Sequence, residues 1–288
     1  MIVGKSKTRL CAVIGDPIEH SLSPVMHNAA FKALHLNYIY LAFQVKRGEL
    51  KTAVDWIRTI GIHGISVTLP HKVEIMKYID SVDQLAKAIG AVNTIHNKDG
   101  KLLGYNTDGI GAFKALREKV PNLHGRKVVI LGAGGAARAI AFTLANEGVN
   151  LTILNRTGNK AIQLAKSLQT KFGSPVSGFK LEDKLLRKTL SEADILINAT
   201  QVGMSPKENE TLVTRNFMKP NLAVFDIVYN PLKTRLLKEA EAAGATTIDG
   251  VNMLVYQGAE AFRIWTGHTP PIEVMRCAVI DKLRGMEW

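Results

Sequence analysis

The chain has 288 residues, 46% hydrophobic and 22% charged, an ordinary globular composition with enough length for two cored domains. No apolar run reaches the ~18 residues that a membrane helix needs, and Met1 to Arg9 is basic but too short and polar for a signal peptide. The formal charge of +12 raises nucleic acid as a partner, yet the basic residues are scattered among acids, aromatics are only 6%, and no RNA-binding signature is present. Attraction of a small anionic substrate and a polyanionic cofactor is the simpler reading.

In chain order, Leu10 to Gly15 reads as an apolar strand. Ser23-Pro24 then opens a helix through about Leu34, with Ser23 as the cap and Pro24 in the first turn. Tyr38 to Val45 is β-rich, Gly48 to Ile60 is helical, and Gly64 to Leu69 is a strand ending at Pro70, where a new helix is expected. Ala91 to His96 and Leu102 to Tyr105 flank Lys98-Asp99-Gly100, a hairpin turn. Thr107-Asp108-Gly109 opens a helix over Ile110 to Val120, and Pro121 to Gly125 is a linker. Strands follow at Lys127 to Leu131, Leu151 to Leu154, Ile195 to Ala199, Ala223 to Ile227 and Thr246 to Ile248. Helices are expected after the first of these and at Leu232 to Ala243, Met253 to Thr266 and Ile272 to Arg284. The alternation predicts an α/β protein of two domains, its C-terminal helices returning to the first.

Four polar clusters stand at strand ends, where α/β proteins place their chemistry. Ser21 and Ser23 lie beside a helix start and suit a carboxylate, although capping by Ser23 alone would explain one of them. Thr68 and Lys72 follow the Gly64 strand; a solvated lysine is the ordinary alternative. Asn93 sits in an otherwise apolar strand, where an unpaired amide is costly and needs a structural partner or a ligand. Asp108 near a helix start is also what an ordinary cap would be. His71 reads as a surface or capping histidine without a role. Cys11 and Cys277 are read as reduced core thiols of a cytoplasmic protein, and no Cys or His falls at metal-ligand spacing.

The strand Lys127 to Leu131 runs straight into Gly132-Ala133-Gly134-Gly135-Ala136-Ala137-Arg138. Gly132 permits a tight turn, Gly134 lets backbone N–H groups approach a phosphate, and Ala137 is small enough for close helix–strand packing. The helix N-terminus favours an anion there. The next strand ends in Asn155-Arg156-Thr157, where an NAD site usually carries a carboxylate for the ribose 2′-hydroxyl. A guanidinium at Arg156, with Lys160 one turn on, suits a 2′-phosphate instead, so NADP(H) is favoured over NAD(H).

Taken in order, these segments resemble the shikimate dehydrogenase family. The likeness rests on Ser-Leu-Ser-Pro (21–24), Val-Thr-Leu-Pro-His-Lys (67–72), Gly-Ala-Val-Asn-Thr (90–94), Gly-Tyr-Asn-Thr-Asp-Gly (104–109) and Gly-Ala-Gly-Gly-Ala (132–136). It continues through Asn-Arg-Thr (155–157), Asn-Ala-Thr (198–200), Val-Gly-Met (202–204), Asp-Ile-Val-Tyr-Asn-Pro (226–231), Asp-Gly-Val-Asn-Met-Leu (249–254) and Tyr-Gln-Gly-Ala (256–259). The resemblance implies a substrate-binding domain of residues 1–107 plus 250–288 and a Rossmann-type NADP-binding domain of 108–249. It implies NADPH-dependent, reversible reduction of 3-dehydroshikimate to shikimate in chorismate and aromatic amino-acid biosynthesis. Ser21 and Ser23 match the carboxylate-binding pair, with Tyr229 as a helper; Thr68, Lys72, Asn93, Asp108 and Gln257 match residues that bind the ring hydroxyls. Lys72 matches the catalytic residue, working with Asp108. Gly132, Ala133, Gly134, Gly135, Ala136, Asn155, Arg156, Thr157, Lys160, Thr200, Ile227, Gly250 and Met253 match the cofactor side. Where the family often has Asn, this chain has Ser66, as do some quinate-using relatives. A quinate/shikimate dehydrogenase of relaxed selectivity and a catalytically inactive dinucleotide-binding regulator are the alternatives. A monomer or homodimer, with no nucleic-acid, membrane or metal partner, is expected.

Overall fold

The computed structural model describes residues 8–286. Of the basic N-terminal stretch, residues 1–7 lie outside them. The chain divides into two compact units, one formed by the chain up to Thr107 together with that from Gln257 onward, the other by Asp108–Tyr256.

The first unit holds β1 (Arg9–Gly15), α1 (Ser23–Ala33), β2 (Tyr38–Gln44), α2 (Leu50–Ile60), β3 (Gly64–Val67), β4 (Ser81–Val82), α3 (Gln84–Ile89), β5 (Thr94–Lys98) and β6 (Lys101–Tyr105). Its sheet runs β2-β1-β3-β5-β6-β4. β1 pairs in parallel with β2 and β3, whereas β5 is antiparallel to both β3 and β6. The β5–β6 pair is the expected hairpin, turning at Asp99-Gly100 with positive φ at both residues. One face is sealed by α2, whose Leu50, Val54 and Ile57 pack on Ala12, Ile14 and Ile65. α10 (Ile272–Leu283) packs against α1, so the C-terminal chain returns to this unit.

The second unit begins with α4 (Asp108–Arg117) and β7 (Lys127–Leu131), α5 (Gly135–Asn146), β8 (Asn150–Asn155), α6 (Gly158–Phe172) and β9 (Val176–Lys180). It continues with α7 (Asp183–Glu192), β10 (Ile195–Asn198), β11 (Ala223–Asp226), α8 (Arg235–Ala242) and β12 (Thr246–Ile248). α9 (Val251–Thr266) starts in this unit and ends in the first. Its sheet is parallel throughout, in the order β12-β11-β10-β7-β8-β9. Counted from β7, that is the doubly wound 3-2-1-4-5-6 order, which puts a switch point between the carboxyl ends of β7 and β10. Buried runs such as Val128-Val129-Ile130-Leu131 follow from both faces being covered.

Two local expectations are corrected. No α-helix opens at Pro70; residues 70–73 form turns and only a short 3₁₀ helix follows at Glu74–Lys77. Cys277 is exposed rather than in the core, while Cys11 is buried, with its thiol pushed up to about 12 by desolvation; both are unbridged. Among the described residues no helix is long and apolar enough to cross a membrane, and no group of His, Cys, Asp and Glu is arranged to hold a metal.

Candidate active site

In the first unit the carboxyl ends of β1 and β3 and the amino end of β5 meet. Thr68 N–H donates to Ile14 O at 2.9 Å, and Asp16 N–H to Leu69 O at 2.9 Å. Gly15 is required by this approach, since a Cβ there would stand 2.3 Å from Thr68 Cγ2. Val67 N–H donates to Asn93 O at 2.7 Å, and Val92 N–H to Lys72 O at 2.7 Å. The turn bearing Lys72 is thereby stitched to the segment bearing Asn93.

Asn93 is the centre of a buried polar knot. Its Oδ1 accepts from Thr107 N–H at 2.8 Å and Thr94 Oγ1 at 3.0 Å, and its Nδ2 donates to Thr107 Oγ1 at 2.9 Å. Nδ2 also reaches Gln257 Oε1 at 3.4 Å, bringing in the middle of α9. The amide thus has the structural partners that its burial demands. Ser21 and Ser23 stand beyond β1, where Ser23 N–H donates to Ser21 Oγ at 3.4 Å. Ser23 is not the helix cap: it is the first residue of α1, and the capping position, Leu22, makes no side-chain cap hydrogen bond. Capping therefore does not explain Ser23, and Ser21 meets this helix end only through its long 3.4 Å contact.

His71 is also corrected. It is wholly buried, with Nε2 hydrogen-bonded to Val45 O at 2.6 Å, so it anchors the turn rather than facing solvent. Sequence reasoning missed Tyr40 altogether. Its phenol, fully buried, donates to Ser66 Oγ at 2.7 Å across β1. A β-branched-and-aromatic strand signal identified Tyr40 as strand but carried nothing about a partner 26 positions away. Of the expected substrate residues, Ser21, Ser23, Thr68, Lys72, Asn93 and Gln257 belong to this unit; Asp108, the first residue of α4 and buried, and Tyr229 belong to the other.

In the second unit β7 turns through Gly132, whose φ of +112° an L side chain rarely adopts and whose added Cβ would lie 2.9 Å from Ala199 O. Gly134 caps α5 without a side-chain hydrogen bond, the first turn carries no acid, and an added Cβ at Gly134 would meet nothing within 4 Å. The result is open space in front of uncapped N–H groups, suited to a pyrophosphate. At the end of β8, Asn155 Nδ2 donates to Thr157 O at 3.0 Å, and Arg156 and Lys160 are exposed. Lys180 on β9 pairs in register with Asn155, a third cation at this place that spacing along the chain did not reveal.

Ile227 and Gly250 are in contact: an added Cβ at Gly250 would stand 2.4 Å from Ile227 O. Thr200 Oγ1 donates to Asn198 Oδ1 at 2.7 Å, and Asn198 Nδ2 donates to Asp226 Oδ1 at 2.9 Å. Asp226 also accepts from Thr234 Oγ1 at 2.6 Å and Val228 N–H at 3.1 Å. Burial pushes this carboxyl up to about 6 against those hydrogen bonds. Asn198 and Asp226 thereby tie together the loops that carry Thr200 and Ile227. Met253, three residues after Gly250, is buried near the start of α9. These features fit a dinucleotide with a charged 2′-substituent.

Comparison with known proteins follows the same division. Residues 13–95 match the model of the shikimate dehydrogenase substrate binding domain, 114–251 that of shikimate/quinate 5-dehydrogenase, and 250–280 that of the shikimate 5'-dehydrogenase C-terminal domain. The shikimate dehydrogenase (NADP(+)) of Methanocaldococcus jannaschii is 51% identical over 285 residues, 96% of this chain and 98% of that protein. A crystal structure of shikimate dehydrogenase in complex with NADP+ superposes with a TM-score of 0.89 at 50% identity, covering 96% of each chain. Shikimate 5-dehydrogenase from Listeria monocytogenes in complex with shikimate and NAD gives a TM-score of 0.85 at 43% identity, covering 94% of this chain and 96% of that one.

Proposed function

Since the chain belongs to the shikimate dehydrogenase family, we propose that it catalyses the NADP-dependent, reversible reduction of 3-dehydroshikimate to shikimate on the route to chorismate and aromatic amino acids. The observation that carries this reading is the hydrogen bonding past the carboxyl end of β3 that ties the backbone of Lys72 to Val92, next to Asn93, and the Asn93 amide to Gln257. They are far apart in the chain, yet the fold brings them to one end of the sheet.

The residue roles are as follows. Ser21 and Ser23, with Tyr229, bind the carboxylate; Thr68, Lys72, Asn93, Asp108 and Gln257 bind the ring hydroxyls. When bound, NADPH would supply the hydride for reduction and NADP+ would accept it in the reverse direction. Residues 132–136 at the start of α5, Asn155, Arg156, Thr157 and Lys160 at the 2′-phosphate, and Thr200, Ile227, Gly250 and Met253 would hold it. Reduction of the ketone adds a hydride to carbon and a proton to oxygen. Lys72 gives that proton to the carbonyl oxygen and, in the oxidative direction, takes it from the hydroxyl; Asp108 holds the same oxygen. Residues 1–107 plus 250–288 serve the substrate and 108–249 the cofactor. The protein works in the cytoplasm as a monomer or homodimer, a placement that its two unbridged cysteines support.

Ser66 favours a second reading, relaxed selectivity between shikimate and quinate. The test of both is a kinetic matrix of the purified protein: shikimate and quinate, each with NADP+ and NAD+. The proposal expects the highest kcat/KM for shikimate with NADP+. Comparable values for quinate would establish the second reading, and no reduction of either cofactor would leave a dinucleotide-binding regulator.

A further inference from the structure

Tyr40 and Ser66 lie on the same face of the first sheet, on either side of β1. Tyr40 is in register with Cys11, and Ser66 with Val13 two residues on, so the phenol reaches diagonally over β1 to Ser66 Oγ. The ring is held in place: it stacks on His27 with centroids 4.5 Å apart at 14°, and Trp265 packs beside it at 5.9 Å. Neither nitrogen of His27 has a hydrogen-bond partner, so the histidine gives the phenol no alternative acceptor. Tyr40 is fully buried, and a buried hydroxyl without an acceptor is costly, so its proton is committed upward to the serines. Ser66 takes it at 2.7 Å, and Ser23 is a further hydrogen-bond neighbour of the phenol oxygen.

The consequence falls on Ser66. A hydroxyl that accepts from below keeps its own proton for donation. Ser66 is half-buried, and Thr68 follows directly after β3, its N–H bonded to Ile14 O at 2.9 Å. Through the phenol oxygen Ser66 is a neighbour of Ser23, and so of the serine pair. We propose that Tyr40 is a positioning residue for substrate, its phenol setting Ser66 as a hydrogen-bond donor to an oxygen at the carboxylate-bearing end of the cyclic acid. The inference rests on the proposed dehydrogenase activity. It places selectivity in a buried residue that does not touch the substrate, because an additional ring hydroxyl at that end, as in quinate, meets a donor whose direction is already set.

The test is steady-state kinetics on the full chain with Tyr40→Phe, Ser66→Ala and the double variant, alongside their melting temperatures. Tyr40→Phe keeps the stacked ring and should raise KM for shikimate about tenfold, the effect of one charge-assisted hydrogen bond, with kcat and the KM for NADP+ within about twofold. It should also change the shikimate-to-quinate ratio of kcat/KM. Ser66→Ala should reproduce this, and adding Tyr40→Phe to Ser66→Ala should then have a much smaller effect than in wild type, what remains passing through Ser23, the phenol's other neighbour. An undiminished effect of Tyr40→Phe in the Ser66→Ala background, or a KM for shikimate unchanged by Tyr40→Phe, overturns the inference while leaving the dehydrogenase reading intact. A wild-type protein inactive on both acids removes both.

Discussion

Asn198 and Asp226 face one another at the carboxyl ends of neighbouring parallel strands, joined by an Nδ2–Oδ1 hydrogen bond of 2.9 Å in a wholly buried setting. Removing the carboxylate leaves Thr234 Oγ1 and Val228 N–H without their acceptor and Asn198 Nδ2 with Val202 O alone, at 3.3 Å. Asp226→Ala should cost about 3 kcal/mol or more of stability, at about 1–3 kcal/mol for each orphaned group after partial relaxation. Asp226→Asn keeps the volume and one acceptor and should cost less. Urea denaturation of the two variants checks the order; equal losses would mean that packing, not acceptance, is what Asp226 supplies.

Lys72→Ala should lower kcat by about 10²- to 10⁴-fold, the usual worth of a positioned proton donor, with KM for shikimate within a few-fold. Steady-state kinetics in the oxidative direction measures this. Unimpaired turnover would remove Lys72 from the proton path.

Arg156→Ala should weaken NADP+ by roughly tenfold or more, as expected for a charge-assisted contact of about 1.5–3 kcal/mol, and leave NAD+ nearly unchanged. Binding titrations with both cofactors decide it. An equal loss for both would move Arg156 away from the 2′-phosphate. Lys180→Ala, with its partner Glu182 3.5 Å away, should show the same selectivity at smaller size.

Stability should depend on pH through two buried groups of opposite sign. Burial lowers His27 from 6.5 to about 3, so its contribution is complete above pH 6.5 and is lost as pH falls from there toward about 3, by about 1.4 kcal/mol per unit. His96, lowered to about 4 by burial and by His63, acts in the same direction. Asp226 is raised from 3.8 to about 6, so its contribution is complete below about 3.8 and is lost as pH rises through about 6. Between about pH 4 and 6 the two slopes oppose one another. Asp226→Asn should therefore make the acid loss steeper than in wild type, and His27→Leu should make it shallower. Urea midpoints across pH 4.5–7.5 (roughly the span of these shifts) test the prediction; parallel curves for all three proteins would refute it.

The cofactor half was legible from the chain because its determinants are local. Each of them is a signal of single residues and their immediate neighbours: an apolar run ending in Gly132, a helix start without an acid, and a cation where a carboxylate would stand at Arg156. The substrate half was legible only by resemblance. Asn93 looked like an amide in need of a partner, but its link to Gln257 crosses 164 positions. Two local rules misled. Pro70 read as a helix start, yet Lys72 O is taken by Val92 N–H and residues 70–73 form turns. Ser23 read as a cap, yet it lies inside α1.

The sequence by itself determined the alternation of strand and helix, the glycine turn and the cation in place of a carboxylate at the end of β8, because periodicity, φ preference and charge belong to single residues and their neighbours. Only the tertiary structure decided that Tyr40 spends its proton on Ser66, that His71 is buried against Val45, and that Asp226 joins Asn198. Those pairings are consequences of burial: a polar group removed from water must find its partner wherever strand order and helix packing bring one, and that partner has no fixed distance along the chain.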